Sequence, residues 1–226
     1  MKYSTMFNHM KTAFIIPSAI QDTQESQLVL QTIQHIQTIA KEAGLAVVSY
    51  ADKAIAPELQ APLLNEVSFI ATYQRDTKVQ DLLRTLSPNQ AKALSHIAAL
   101  TWFFSVCATD HIFKQPTQVI VMEPGMPLSA DVFAQIQAAP QDKFIFAPPS
   151  DSSLSSTQTG GIALKLNTHV WAFSSEQIPS LVDILNKSVH YTYERLTKGG
   201  DVDLSHTLFK FIDSSQIFFL RSLNQS

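Results

Sequence analysis

The 226-residue chain has a single cysteine, Cys107, set inside an apolar run. No internal disulfide can form, and no metal site can be built from thiolates. Such a residue reads as a small buried hydrophobe rather than a nucleophile. Charge is scarce too: Asp, Glu, Lys and Arg make up 15% of the residues, and the net charge is −3. Without a long basic block there is no footprint for nucleic acid. A weakly charged surface is associative, which leaves room for a partner or an oligomer; peripheral membrane association stays open, though no basic block marks an anionic membrane footprint. Long apolar runs are missing as well. Ala13 to Ile16 is too short for a secretory core, and the run "IAALTWFFSVCA" is roughly half of what a membrane span needs. The expectation is a soluble, cytoplasmic protein. No Gly-rich phosphate loop and no G-x-S-x-G elbow occurs, and no His pair has the i, i+4 spacing of a zinc helix.

What is present is an α/β pattern. Residues 12–16 read as a first strand. Leu30, Ile33, Ile36, Ile39 and Ala40 then recur at helical spacing, with Gly44 as the residue that ends the helix. Residues 45–50 read as a second buried strand, so the unit is βαβ with parallel strands. Further strands are expected at 67–73, 119–122 and 143–149, the last stopped by Pro148 and Pro149. Residues 162–174 alternate and run extended, and a last strand is expected at 216–221. The clearest helix starts at Ser87, with Pro88 in its first turn and Gln90 placed to complete a capping box. Others are expected from Ser129, over 175–187, and as a short segment over 201–211. The polar stretch 151–161 reads as a loop long enough to be mobile or functional. The sequence therefore predicts a tail over 1–11 and one domain over 12–226, with a mixed, mostly parallel sheet flanked by helices.

In open α/β sheets, ligands sit beyond the carboxyl ends of the strands. The stretch Val119–Phe133 occupies such a place, yet after its strand it reads Glu123-Pro124-Gly125. Glu123 alone is a poor Mg²⁺ or Mn²⁺ site. His96 lies mid-helix beside Ser95, His169 follows Thr168 in an extended segment, and Asp203 stands where a short helix begins.

Four segments in order resemble glycosyltransferase family 25, the lipooligosaccharide and lipopolysaccharide sugar transferases of GT-A fold. They are Leu94-Ser95-His96 with the aromatic that follows; Glu123, Ser129 and Phe133; Thr168-His169 with Trp171; and Val202, Asp203, Leu208 and Phe209. The resemblance spans nearly the whole chain. It implies a GT-A-like (Rossmann-like) domain that transfers a sugar from a nucleotide sugar, a UDP-sugar, to a glycan acceptor in lipooligosaccharide or cell-envelope polysaccharide synthesis. It further implies that Ser95, His96, Glu123, Thr168 and His169 line the donor pocket. Asp203 becomes the catalytic candidate, as general base or as the group that orients the acceptor. The family's Glu-Asp-Asp motif, which would hold Mn²⁺ or Mg²⁺ against the diphosphate, is reduced here to Glu123. Losing a whole metal site costs on the order of a thousandfold in rate. Two expectations follow. One is a transferase that works without the metal, or with one held by Glu123 and Asp203. The alternative is a catalytically inactive accessory or binding protein that keeps the fold. Under that alternative, restoring Asp at positions 124 and 125 should add metal binding with no other change.

Overall fold

The computed structural model describes residues 7, 10–51, 54–74, 80, 81 and 83–221. Seven strands form one sheet: β1 (Thr12–Ser18), β2 (Gly44–Ser49), β3 (Phe69–Thr72), β4 (Gln118–Met122), β5 (Phe144–Asp151), β6 (Leu164–Ser174) and β7 (Ile217–Phe219). Their order is β3-β2-β1-β4-β6-β5-β7. The pairs β1–β2, β2–β3, β1–β4 and β5–β7 are parallel, and β6 runs antiparallel to both β4 and β5. The expected mixed, mostly parallel sheet is what forms.

Period-two alternation sorts the strand residues into two cores. Ala13, Ile15, Val119, Val121, Trp171 and Phe173 face one layer, while Phe14, Ile16, Ile120, Met122 and Ala172 face the other. Because both faces are covered, the inner strands read as unbroken apolar runs. Helix α1 (Thr23–Ile39), α2 (Pro57–Leu64) and α4 (Ala130–Ala138) cover the second layer. Helix α3 (Pro88–Thr109), α6 (Ile178–Thr197) and α7 (Leu204–Phe211) cover the first, and α5 (Ser156–Thr159) is a single turn. Each buried Leu, Ile or Phe contributes about 1.5–3 kcal/mol. Cys107 joins this core at 2% exposure, and burial pushes its thiol pKa up.

The caps follow the sequence closely. Ser87 and Gln90 close a capping box on α3, Ser129 caps α4 and Asp203 caps α7. His111 takes a left-handed conformation (φ 48°) just past α3, where a helix commonly stops. By length and composition α3 could cross a membrane. Its Ile97, Leu100, Phe103 and Phe104 are instead buried against the sheet.

Several boundaries differ from the sequence reading. Helix α1 ends at Ile39, and Gly44 is the first residue of β2 rather than a helix terminator. Gly44 answers a different need: a Cβ there would come within 2.4 Å of both Phe7 and Met10. Phe7 is fully buried and stacks on Phe113 at 5.1 Å. Strand β5 runs on through Pro148 and Pro149 to Asp151. The prolines fall where the β5–β6 register shifts, between Ala147 and Ser150, and beyond the last β5–β7 pair, so no ladder hydrogen bond is asked of them. Helix α6 continues to Thr197, because no Gly or Pro interrupts it before Gly199 and its Leu181, Leu185, Ser188, Thr192 and Leu196 keep one buried face. The last strand contracts to Ile217–Phe219.

The polar stretch 151–161 is pinned rather than loose. Tyr191 donates to the Thr159 carbonyl (2.9 Å), Arg195 Nη2 donates to the Gln158 carbonyl (3.1 Å), and Ser152 meets His206 at 2.8 Å.

Candidate functional site

The parallel strands β1, β2 and β4 end on one edge of the sheet, and β6 begins there. The alternation that points Val119 and Val121 toward α3 also points Glu123 there. Likewise Trp171 and Phe173 carry His169 to the same face. Continuing the Val121–Trp171 and Met122–Val170 pairs puts Glu123 directly opposite His169. The Glu123 N–H donates to the His169 carbonyl (2.8 Å), and His169 Nδ1 donates to Glu123 Oε2 at 2.7 Å. The Asn167 side chain accepts from the His169 N–H (3.0 Å) and shapes the approach.

The chain then turns sharply. The Met126 N–H donates to the Glu123 carbonyl (3.3 Å), with Pro124 second and Gly125 third in the turn, the latter at φ 79°. These are the marks of a type II turn, whose third position needs a positive φ. The turn is fastened to α1, since the Gly125 N–H donates to Thr32 Oγ1 at 2.8 Å. A Cβ at 125 would meet Leu28 Cδ1 at 3.0 Å.

Over this edge lies a cavity of about 440 Å³. Its walls include Asn89, Lys92 and His96 from α3, Glu123, Lys165, Thr168 and His169 from the strands, and Asp203 at the head of α7. Five of the six residues singled out in the sequence thus share one cavity: His96, Glu123, Thr168, His169 and Asp203. A second hollow of about 240 Å³ shares His96, Glu123 and Lys92 with the first and adds Ser18, Glu25 and Tyr50. Ser95 lies apart, facing a third hollow of about 450 Å³, with its hydroxyl donating back to the Ala91 carbonyl at 2.6 Å. Lys92 borders all three.

His96 stacks on Tyr50, with ring centroids 5.2 Å apart. Its Nε2 is buried and has no hydrogen-bond partner. Burial pushes its pKa down, Lys92 adds to that, and the charges of Glu123 and Asp203 pull the other way; the net effect favours the neutral ring. Burial likewise pushes the Tyr50 hydroxyl pKa up, so it stays protonated.

Asp203 does two jobs. Its Oδ1 caps α7 by accepting the His206 N–H (3.2 Å), and it also accepts from His206 Nδ1 (2.7 Å) and from the Ser205 hydroxyl. Partial burial alone would raise its pKa. The bonds from His206 and Ser205 reverse this and hold the carboxyl well below the usual range. His206 is 2% exposed. With Nδ1 donating to Asp203, Nε2 lies 2.8 Å from Ser152 Oγ. The relay Ser152–His206–Asp203 thus presents a fixed anion at the cavity wall, since Asp203 lines the cavity and Ser152 does not.

The divalent cation implied by the family resemblance does not fit the donors at β4. The turn after the strand offers one carboxylate, and His169 occupies one of its oxygens. Among the described residues no three His, Cys, Asp or Glu side chains gather for a metal, whereas hard cations want several oxygen ligands.

Asn89, Lys92, Lys165 and Tyr50 were not picked out from the sequence. Only the first two left a signal there: residues 89, 92 and 96 recur at the spacing that lines one helix face.

No family model matches the sequence, and no curated protein matches it. Solved structures do match in fold. The mannosyltransferase Ktr4p from S. cerevisiae superposes with a TM-score of 0.55 at 10% identity, covering 93% of this chain and 68% of that one. Core-mannan synthase A (CmsA/Ktr4) from Aspergillus fumigatus, in its Mn/GDP form, gives 0.50 at 11% identity over 93% and 73%. A 4-diphosphocytidyl-2C-methyl-D-erythritol synthase gives 0.50 at 12% identity over 86% and 92%. These likenesses fix the architecture: the chain is a single α/β domain of the GT-A-like fold.

Proposed function

We propose that the chain is a glycosyltransferase that moves a sugar from a nucleotide sugar to a glycan acceptor. The observation that carries this reading is the shared cavity at the carboxyl edge of β1, β2 and β4. It brings His96, Glu123, Thr168, His169 and Asp203 together in a fold this chain shares with mannosyltransferases. In the transfer, an acceptor hydroxyl oxygen bonds to the anomeric carbon while the bond from that carbon to the phosphate oxygen breaks. The nucleoside diphosphate leaves with the bonding electrons, and the acceptor proton passes to solvent or to the departing phosphate. Asp203 orients the acceptor hydroxyl by accepting its hydrogen bond. Its depressed pKa makes it a weak proton acceptor but a dependable anion. The finer assignment rests on the family 25 resemblance: a UDP-sugar donor, an acceptor in lipooligosaccharide or another envelope polysaccharide, and a cytoplasmic location.

The test is turnover. The chain is incubated with a panel of UDP- and GDP-sugars and oligosaccharide acceptors, and free nucleoside diphosphate is measured. Release that depends on acceptor, and that Asp203→Asn abolishes while the protein stays folded, supports the reading. Release at the parental rate in that variant removes Asp203 from the reaction.

A second reading is favoured by the His169 hydrogen bond that occupies Glu123 and by the turn locked to Thr32. In it the fold binds a nucleotide sugar without turning it over. Saturable binding with no release for any donor and acceptor pair selects this second reading.

A further inference from the structure

We infer that the α3 stripe of Asn89, Lys92 and His96 is the diphosphate-holding face of the cavity, with the fixed charge of Lys92 standing where a divalent cation would otherwise neutralise the phosphates. This rests on the nucleotide-sugar reading and deepens it. Residues 89, 92 and 96 lie at i, i+3 and i+7, so they project from one face, and the small Ala93 between them leaves room for a ligand. Lys92 borders all three contiguous hollows. Among the described residues no carboxylate pairs with it, whereas Lys143 and Lys198 each have one.

The buried Nε2 of His96 is an independent sign of a missing partner. A buried polar atom without a hydrogen bond is costly, and a phosphate oxygen or a sugar hydroxyl would satisfy it. Burial keeps that ring neutral, so the positive charge of the stripe comes from Lys92. Lys165, on β6, brings a second cation to the same cavity. An ammonium binds phosphate as a point charge through charge-assisted hydrogen bonds. The carboxylates of Glu123 and Asp203 repel phosphate, so they are left for the neutral hydroxyls of the sugar and acceptor.

The test is calorimetric titration of the full chain with UDP and GDP in EDTA, alongside Lys92→Gln and Lys92→Arg. Lys92 is exposed, so both variants fold, and circular dichroism verifies it. The expected result is metal-free binding of at least one diphosphate. Lys92→Gln should weaken it about tenfold or more, and Lys92→Arg should largely restore it. Affinity should fall with salt in the parent and more shallowly in Lys92→Gln. Unchanged affinity in Lys92→Gln overturns the inference. Binding that appears only with added Mn²⁺ also overturns it but leaves the nucleotide-sugar reading standing. No binding of either diphosphate by the parent, with or without Mn²⁺, removes that reading and the inference together.

Discussion

Glu123 Oε2 and His169 Nδ1 lie 2.7 Å apart, on residues facing each other one position past the last pair of the β4–β6 ladder. The pair ties the end of β4 to β6 at the carboxyl edge of the sheet. His169 is 55% exposed and Glu123 29%, so solvent screens their attraction. A double-mutant cycle with Glu123→Gln and His169→Ala, read by urea unfolding, should give a coupling of about 0.2–1 kcal/mol. A coupling above about 2 kcal/mol would make the pair a structural fastener instead.

Placing aspartates at positions 124 and 125 should not create a metal site. Gly125 holds φ 79°, its N–H is bound to Thr32, and Leu28 stands where a side chain would go. The double variant Pro124→Asp, Gly125→Asp should lose about 1–2 kcal/mol of stability. It should also show no saturable Mn²⁺ heat in calorimetry. Tight Mn²⁺ binding at unchanged stability would show that the turn adapts freely.

His96 carries a buried Nε2 without a hydrogen-bond partner. His96→Phe keeps a ring on Tyr50 and removes the unpartnered nitrogen, so stability at pH 7 should rise by about 1 kcal/mol while nucleotide affinity falls. The parent should also lose stability as pH drops below about 6.5, because the folded imidazole resists a proton that the unfolded chain accepts. The variant should flatten that part of the profile. Equal pH profiles for parent and variant would contradict the buried, neutral state of His96.

Asp203 has the opposite window. Its folded pKa is depressed, so its contribution is present above the ordinary value of 3.8 and is lost as pH falls through the lower folded value. Asn caps helices as well as Asp does, so Asp203→Asn isolates the charge. The stability gap between parent and variant should be open at pH 7 and close progressively below pH 3.8. A gap that persists unchanged into strong acid would mean the amide disturbs more than the charge.

The sheet and its caps were legible because their signals are local. Ser87, Ser129 and Asp203 announce helix starts, and unbroken runs such as Val119–Met122 announce strands buried on both faces. The boundaries that moved depended on distant contacts. Gly44 looks like a helix stop until Phe7 and Met10 are seen lying against it. Pro148 and Pro149 look like a strand end until the register shift around them is known. The site shows the same division. His96, Glu123, Thr168, His169 and Asp203 stood out by type and order, and the fold brings them to one cavity. The His206–Ser152 support of Asp203 spans 54 residues of sequence, and Lys165 reaches the cavity from the register-shifted β5–β6 pairing, opposite Ser150. Neither leaves a local trace in the chain.

The most direct measurement is calorimetric titration of the intact chain with UDP, GDP and CDP, first in EDTA and then with Mn²⁺. Saturable one-to-one binding of at least one diphosphate in EDTA, weakened in His96→Phe, is the expected result and places the nucleotide on the α3 side of the cavity. Absence of binding for all three, with and without Mn²⁺, would contradict a nucleotide-sugar site at this edge of the sheet.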